Sequence, residues 1–527
     1  MADPRLLNGP GVTASPFSAL SAAAPSDDVQ ANGDNKRYAT DQYGSGSGLP
    51  ANETVVAINP TDPNNVIAAA NDYEPAVDAT VGLYTSFDGG RTFPHSQHAR
   101  QIMTPTRTIY GSGDPAVFFD RAGVAYAVFV SFGRSNYDSY IAVIRSEDEG
   151  VTWSVPVDGL PPDGDQMGAY DGIVVHNGGP TDASVMHDKS FAVAGPRPPG
   201  APLLPGSDEQ HISPDRLYVT WTRFDHGPEG FGSVDSAIYL AYSDDQGRHF
   251  SQPAEISGSG SFCPYQAGDQ DAPACDEDQF SVPVVDHRTG AVYVAFENFN
   301  TGNPDKNQYL VVRSLDGGVT WAPPNRVGDL HDGVNKYPAF NGRQTLDYMF
   351  ARVNANGNLA IDPNTGRLYL TFADNRNGNA GNTNTDVFVT WSGTGGRTWN
   401  TPVNVTRESP DDQFFPWLSV TPDSVVAVSY LDRRYAGPKL IDTSLSVSVN
   451  DGRTFTTRRV SERSWNPDLA FRQGVFIGDY TGLATARGVA IPCWTDARFA
   501  EPNTPGNNPP YQQSDIMVDA EPIPTRS

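Results

Sequence analysis

Seven short stretches of the chain set a polar or charged residue just before an apolar run. They are Glu53 in NETVVAI, Asp114 in GDPAVFF, Asp188 and Lys189 in HDKSFAV, Asp278 and Gln279 in EDQFSVPV, Arg352 in ARVNANGNLAI, Asp412 and Gln413 in DDQFFPW, and Asp479 and Tyr480 in GDYTGLA. Brought around one axis, they would form a ring of carboxylates interrupted by Arg352 and Lys189. Two carboxyl groups at a fixed separation can serve a glycosidic bond as acid and as base or nucleophile. An Arg can hold a substrate carboxylate bidentately. Arg352, Asp412, Asp479 and Tyr480 are therefore expected to be catalytic, a mixture that suits an acidic sugar. Glu53, Asp114, Asp188, Asp278 and Gln413 are expected to bind substrate. The structural alternative for each is a polar group that hydrates a channel mouth or caps a strand.

Such a ring needs a scaffold that repeats. An eight-residue phrase, SLDGGVTW from Ser314, recurs as SFDGGRTF from Ser86, SEDEGVTW from Ser146 and SDDQGRHF from Ser243, and more loosely as SGTGGRTW from Ser392 and SVNDGRTF from Ser448. The Asp can accept from backbone amides further on, the Gly permits a positive φ, and the aromatic enters the next strand. Upstream of each copy lies an apolar strand with a polar end, such as VAYAVFVSFG or RLYLTFADNR, and a seventh, VAIPCWTDAR, follows the last copy. The spacing is too irregular for a solenoid, and no sustained 3.6-residue period marks a helix. The pattern predicts an all-β chain folded as a single β-propeller. Seven blades are expected, or six if the first and last units combine, with DIMVDAEPI near the first unit to close the ring. Asp374 and Arg376, Asp432 and Arg434, and Asp496 and Arg498 share a spacing that lets each pair form a local ion pair on one strand face.

The pattern Ser-x-Asp-x-Gly-x-Thr-Trp/Phe resembles that of the Asp-box (bacterial neuraminidase repeat) superfamily. More closely, NETVVAINPTDPNNVIAAAND, DKSFAVA, DQFFPWLSV and FIGDYTGLA are similar to secreted bacterial sialidase-like proteins, and the resemblance runs from Asn52 to Asp519. It implies that the boxes are turns on the blade periphery, away from the face where ligand binds. It also implies a glycan or polysaccharide partner and a sialidase-like glycoside hydrolase. A non-enzymatic carbohydrate- or protein-binding propeller and a polysaccharide lyase are the alternatives on the same scaffold. Sialidases use three arginines, a Tyr activated by a Glu, and an Asp as acid/base. Their early Arg-Ile-Pro motif is absent here. Tyr480 would need a base, because an unperturbed pKa near 10 leaves little phenolate. Strand alternation turns Asp479 away from it, so Asp412 or Glu53 would have to serve.

Composition narrows the rest. With 36 basic against 62 acidic residues the formal charge is −26, which disfavours nucleic acid and anionic membranes. Residues 1–50 read as a flexible leader without a membrane span, 51–523 as the propeller and 524–527 as a C-terminal tail; a monomer is expected. Cys263 and Cys275 flank a polar loop and are expected to form a disulfide, with Cys493 a buried thiol, which points to a secreted or otherwise extracytoplasmic location. No cofactor motif is found. Stretches 303–308 and 378–386 have the Asn/Asp content of structural Ca²⁺ loops, and equally of plain polar turns, so any metal is left unknown.

Overall fold

The computed structural model describes residues 28–32, 50–73, 79–104, 108–133, 136–157, 169–226, 233–265, 273–407, 409–470, 474–500 and 513–526. Runs rich in β-branched and aromatic residues, broken by Gly, Asn and Asp, form seven antiparallel blade sheets, six of four strands and one of five. Blade one comprises Ala51–Ile58, Val66–Asp72, Thr80–Ser86 and His95–His98. Blades two to six begin with the inner strands Gly111–Phe119, Val185–Pro196, Asp278–Val285, Leu359–Ile361 and Gln413–Val420. Blade seven runs outward from Gly482–Ala486 through Val489–Asp496 to Asp515–Val518. The count is seven, not six.

The outermost strand of blade seven is Val29–Gln30, paired with Met517 and Val518. The expected leader is thus corrected in part, since its residues 28–32 belong to the propeller. Asp28 is held by the Arg498 guanidinium at 2.6 Å and by the Glu462 amide at 2.9 Å. Ala31 is buried, and Gln30 and Asn32 both donate to Asp515. The strand Val29–Gln30 covers part of the outer edge that Asp515–Val518 would otherwise present. Residues 524–526 are also docked, with the Arg526 amide on Asp423 and its guanidinium on Asp451.

The repeated phrase forms the expected turns. Asp316 accepts from the Thr320 amide at 2.9 Å, and Ser314 Oγ accepts from the Gly318 amide at 2.8 Å. Thr394 and Asn450, which replace the Asp in two copies, accept the equivalent amides of Thr398 and Thr454 at 3.0 Å each. In blade one, Ser86 pairs with Val66, which pairs with Ile58, whereas Thr80, Asp72 and Ala51 align at the other end. The turns therefore sit at the opposite end of the blade from Glu53. The three Asp-x-Arg pairs form as read, Arg376 on Asp374, Arg434 on Asp432 and Arg498 on Asp496. Cys263 and Cys275 are bridged, with Cα atoms 5.4 Å apart, and Cys493 is a buried free thiol. Among the described residues no helix is long and apolar enough to cross a membrane.

Candidate active site

Inner strands share one local device. In blades one, two, three, four and six the pairing register slips near the start, at Asn52/Val55, Gly113/Ala116, Asp188/Phe191, Gln279/Val282 and Phe414/Trp417. One residue in each slip has a left-handed backbone: Glu53 (φ 58°), Asp114 (φ 54°), Lys189 (φ 47°), Phe280 (φ 59°) and Phe415 (φ 50°). A non-glycine residue there costs about 1 kcal/mol or more, and such strain gathers at functional sites. A bulge also re-aims its side chain. In blades one to three it carries Glu53, Asp114 and Lys189 to one wall of a cavity of about 1200 Å³, which Asp188, Arg352 and Asp479 also line. Gly478, at φ 95°, lets blade seven approach blade one, because a Cβ there would lie 2.7 Å from the Glu53 amide nitrogen.

On this wall the carboxyl groups of Glu53, Asp114 and Asp188 hydrogen-bond in a row with Asp114 at the centre. Carboxyl groups in such contact must share protons. Burial raises Glu53 well above the carboxylate range, reinforced by Asp114. Burial and the Asp114 charge likewise push Asp188 up to about 7. Burial alone would raise Asp114 too, but the hydrogen bonds from Glu53 and Asp188 and the Lys189 charge hold it low. Asp114 is thus the most acidic of the three, between two neighbours that hold their protons to higher pH. Asn71 fixes this arrangement: its Nδ2 donates to Glu53 Oε2 at 2.7 Å, and its Oδ1 accepts the Asp114 amide at 2.7 Å.

Beside the three carboxyls, Arg352 grips Asp479 with both Nε, at 2.8 Å, and Nη2. Asp479 is thus brought to the site as an ion pair. Tyr480 is buried beneath it. Its hydroxyl donates to the Pro115 carbonyl at 3.2 Å, and burial, with Glu53 and Asp114, raises its pKa well above the usual phenol value. The Lys189 Nζ lies 3.1 Å from the centre of the Tyr480 ring.

Other expected site residues lie elsewhere. Asp412 is buried away from the cavity, bound to Thr383, the Thr385 amide and Arg433 at 2.8–2.9 Å. Its neighbour Gln413 is held by Ser409 and Asp432, and Asp278 by Asn298 at 2.7 Å; neither lines the cavity. An apolar residue at the left-handed position of the blade-six bulge, Phe415, leaves Asp412 outside the slip that re-aims a side chain.

Asn71 and Asp332 were not among the residues singled out by type and spacing, and Asp332 forms a second acidic pair on the cavity with Glu297. These two hydrogen-bond to each other, and burial pushes Glu297 up to about 7. A signal was available. Asn71 and Glu297 lie near the ends of second strands as Asp374 does, yet no Arg stands two residues on to pair with them. In the loop 378–386, Asn379 Oδ1 accepts the Gly381 amide and Asn377 donates to Asp386, so these side chains serve the loop's own turns. Among the described residues no three His, Cys, Asp or Glu side chains group as a metal ion would need.

No protein-family model matches the sequence, and comparison with curated proteins finds no match. Solved structures do resemble it. An α-L-arabinanase of Penicillium chrysogenum complexed with arabinobiose is 11% identical, with TM-score 0.42 over 83% of this chain and 99% of that one. An ulvan lyase bound to its saccharide is 9% identical, with TM-score 0.46 over 95% and 98%. A Trypanosoma rangeli sialidase in complex with sialic acid is 12% identical, with TM-score 0.41 over 94% and 60%. With each of these TM-scores below 0.5, the likeness carries no argument about this chain, and its chemistry has to come from the cavity itself.

Proposed function

We propose that the protein is an extracytoplasmic glycoside hydrolase whose reacting groups are Asp114 and Asp188, oriented by Glu53 and Asn71. The observation that carries this reading is the row of three proton-sharing carboxyls on the wall of an open cavity. Asp114 is the ionised member and acts as nucleophile on the anomeric carbon. Asp188 is half-buried and holds a proton near neutral pH. It gives that proton to the glycosidic oxygen as the C–O bond breaks. A glycosyl ester on Asp114 results. Water then attacks the anomeric carbon, Asp188 takes its proton, and Asp114 is released. Retention of configuration needs the two carboxyls about 5–5.5 Å apart, so the sugar has to enter between them and part their hydrogen bond.

The geometry favours this carboxylate chemistry over the tyrosine chemistry of sialidases. Tyr480 is engaged with a backbone carbonyl, and Arg352 with Asp479. A disulfide fits an oxidising compartment. The test is product analysis on a glycan panel that includes arabinans, sialosides and uronate polymers, with wild type and Asp114→Asn. Released reducing sugar that depends on Asp114 supports the hydrolase. Unsaturated uronate products would replace it with the lyase, and binding without turnover would leave a carbohydrate-binding propeller.

A further inference from the structure

Lys189 is the least satisfied group of the cavity wall. It is 6% exposed, its backbone is strained at φ 47°, and its Nζ has no hydrogen-bond partner among the described residues. Beneath Nζ lie the faces of Tyr480, at 3.1 Å, and Phe191, at 4.6 Å, which accept no conventional hydrogen bond from it. A buried donor without an acceptor is destabilising, and a strained lysine adds to that. The bulge itself does not need a lysine, because the equivalent left-handed positions in blades four and six carry Phe280 and Phe415.

The charge of Lys189 is another matter. Asp114, Glu53, Asp479 and Asp188 all act on it electrostatically. Burial disfavours that charge and these carboxylates offset the cost only in part, while its N–H directions are not engaged. The other cation at this wall, Arg352, is paired with Asp479. The cavity as a whole is lined by Glu53, Asp114, Asp188, Glu277, Glu297, Asp332 and Asp479 against Lys189, Arg343 and Arg352. What Nζ lacks is an acceptor oxygen within hydrogen-bond reach, not negative charge nearby. A neutral sugar ring supplies lone pairs through its hydroxyls without bringing a further anion next to Asp114.

We infer that Lys189 holds the reacting sugar by donating hydrogen bonds to its hydroxyls, and that this sugar is uncharged, not a uronic or sialic acid. The inference rests on the cavity being the glycan site proposed above. Its test is binding, read by saturation-transfer NMR at pH 6. The neutral probes are D-glucose, D-galactose and D-xylose, and the acidic ones are D-glucuronate, D-galacturonate and N-acetylneuraminate. At least one neutral sugar should bind to wild type, and none of the acids should bind more tightly. Lys189→Met should weaken that binding by about tenfold or more, whereas Lys189→Gln, which keeps two donors without the charge, should retain most of it. Tighter binding of an acid, equal loss in the Gln and Met variants, or no neutral-sugar binding would overturn the inference. Should the Met variant not fold, loss of binding in the Gln variant would by itself overturn it, and retained binding there would support it. Lys189-dependent binding without turnover would leave this inference standing and remove the hydrolase. Asp114-dependent cleavage of an acidic glycan alone would do the reverse.

Discussion

Asp88 and Asp114 belong to neighbouring blades and lie at opposite ends of the propeller, and their surroundings treat the same carboxyl differently. In the turn, burial would raise Asp88, but the Thr92 hydroxyl and amide, Ser86 and the Arg91 amide donate to it and lower it; Asp148 and Asp316 are lowered in the same way. Each is an anion ringed by donors, which is what a turn needs to stay closed. On the cavity wall burial, reinforced by carboxyl meeting carboxyl, outweighs donors such as Asn71, and Glu53 and Asp188 are raised. One end of the molecule uses carboxylates to fix the backbone. The other stores protons.

The sharpest way to break this contrast is to remove the central cavity carboxylate. Asp114→Asn should depress turnover by about 10²–10⁴-fold or more, with thermal unfolding little changed. Asp28→Ala should do the opposite. It removes one of the two buried carboxylates on Arg498, Asp496 being the other, and should cost about 1.5–3 kcal/mol, read by denaturant unfolding. Turnover per folded molecule should hold, because the closing strand is far from the wall that bears Asp114.

Dependence on pH separates the two ends further, since they have opposite signs. Asp188 and Glu297 have folded pKa values raised to about 7. Their stabilisation is complete below the ordinary carboxylate range and is lost as pH rises through 7. The turn aspartates are lowered, so theirs is complete above that range and is lost as pH falls below it. Thermal unfolding should therefore weaken on both sides, and Asp188→Asn should flatten only the alkaline side. The smallest effect is expected at a single turn. Asp316→Ala should cost about 1–2 kcal/mol of stability and leave turnover unchanged.

The propeller was legible in the sequence because its instructions are local. Ser-x-Asp-x-Gly and the aromatic after it close the same turn wherever they occur, even with Thr394 or Asn450 in place of Asp. The strand Val29–Gln30 was not legible, since it lies in an Ala/Ser/Pro-rich stretch and is held by Arg498, 470 positions away from Asp28. The site was half legible. Of the polar residues at the inner-strand starts, Glu53, Asp114, Asp188, Arg352 and Asp479 line the same cavity, and Arg352 meets Asp479 there. Alternation could not reveal that bulges re-aim Glu53, Asp114 and Lys189 while Asp412 turns to Arg433.

Above all, the cavity end should hold protonated carboxyls at a pH where the turn carboxylates are ionised. Infrared difference spectroscopy between about pH 5 and 9 reads protonated carboxyl C=O stretches directly. The expected result is a band that disappears with a midpoint near 7, the value for Asp188, and that shrinks in Asp188→Asn but is intact in Asp316→Ala. No protonated carboxyl band at pH 6, or one that Asp188→Asn leaves untouched, would contradict it.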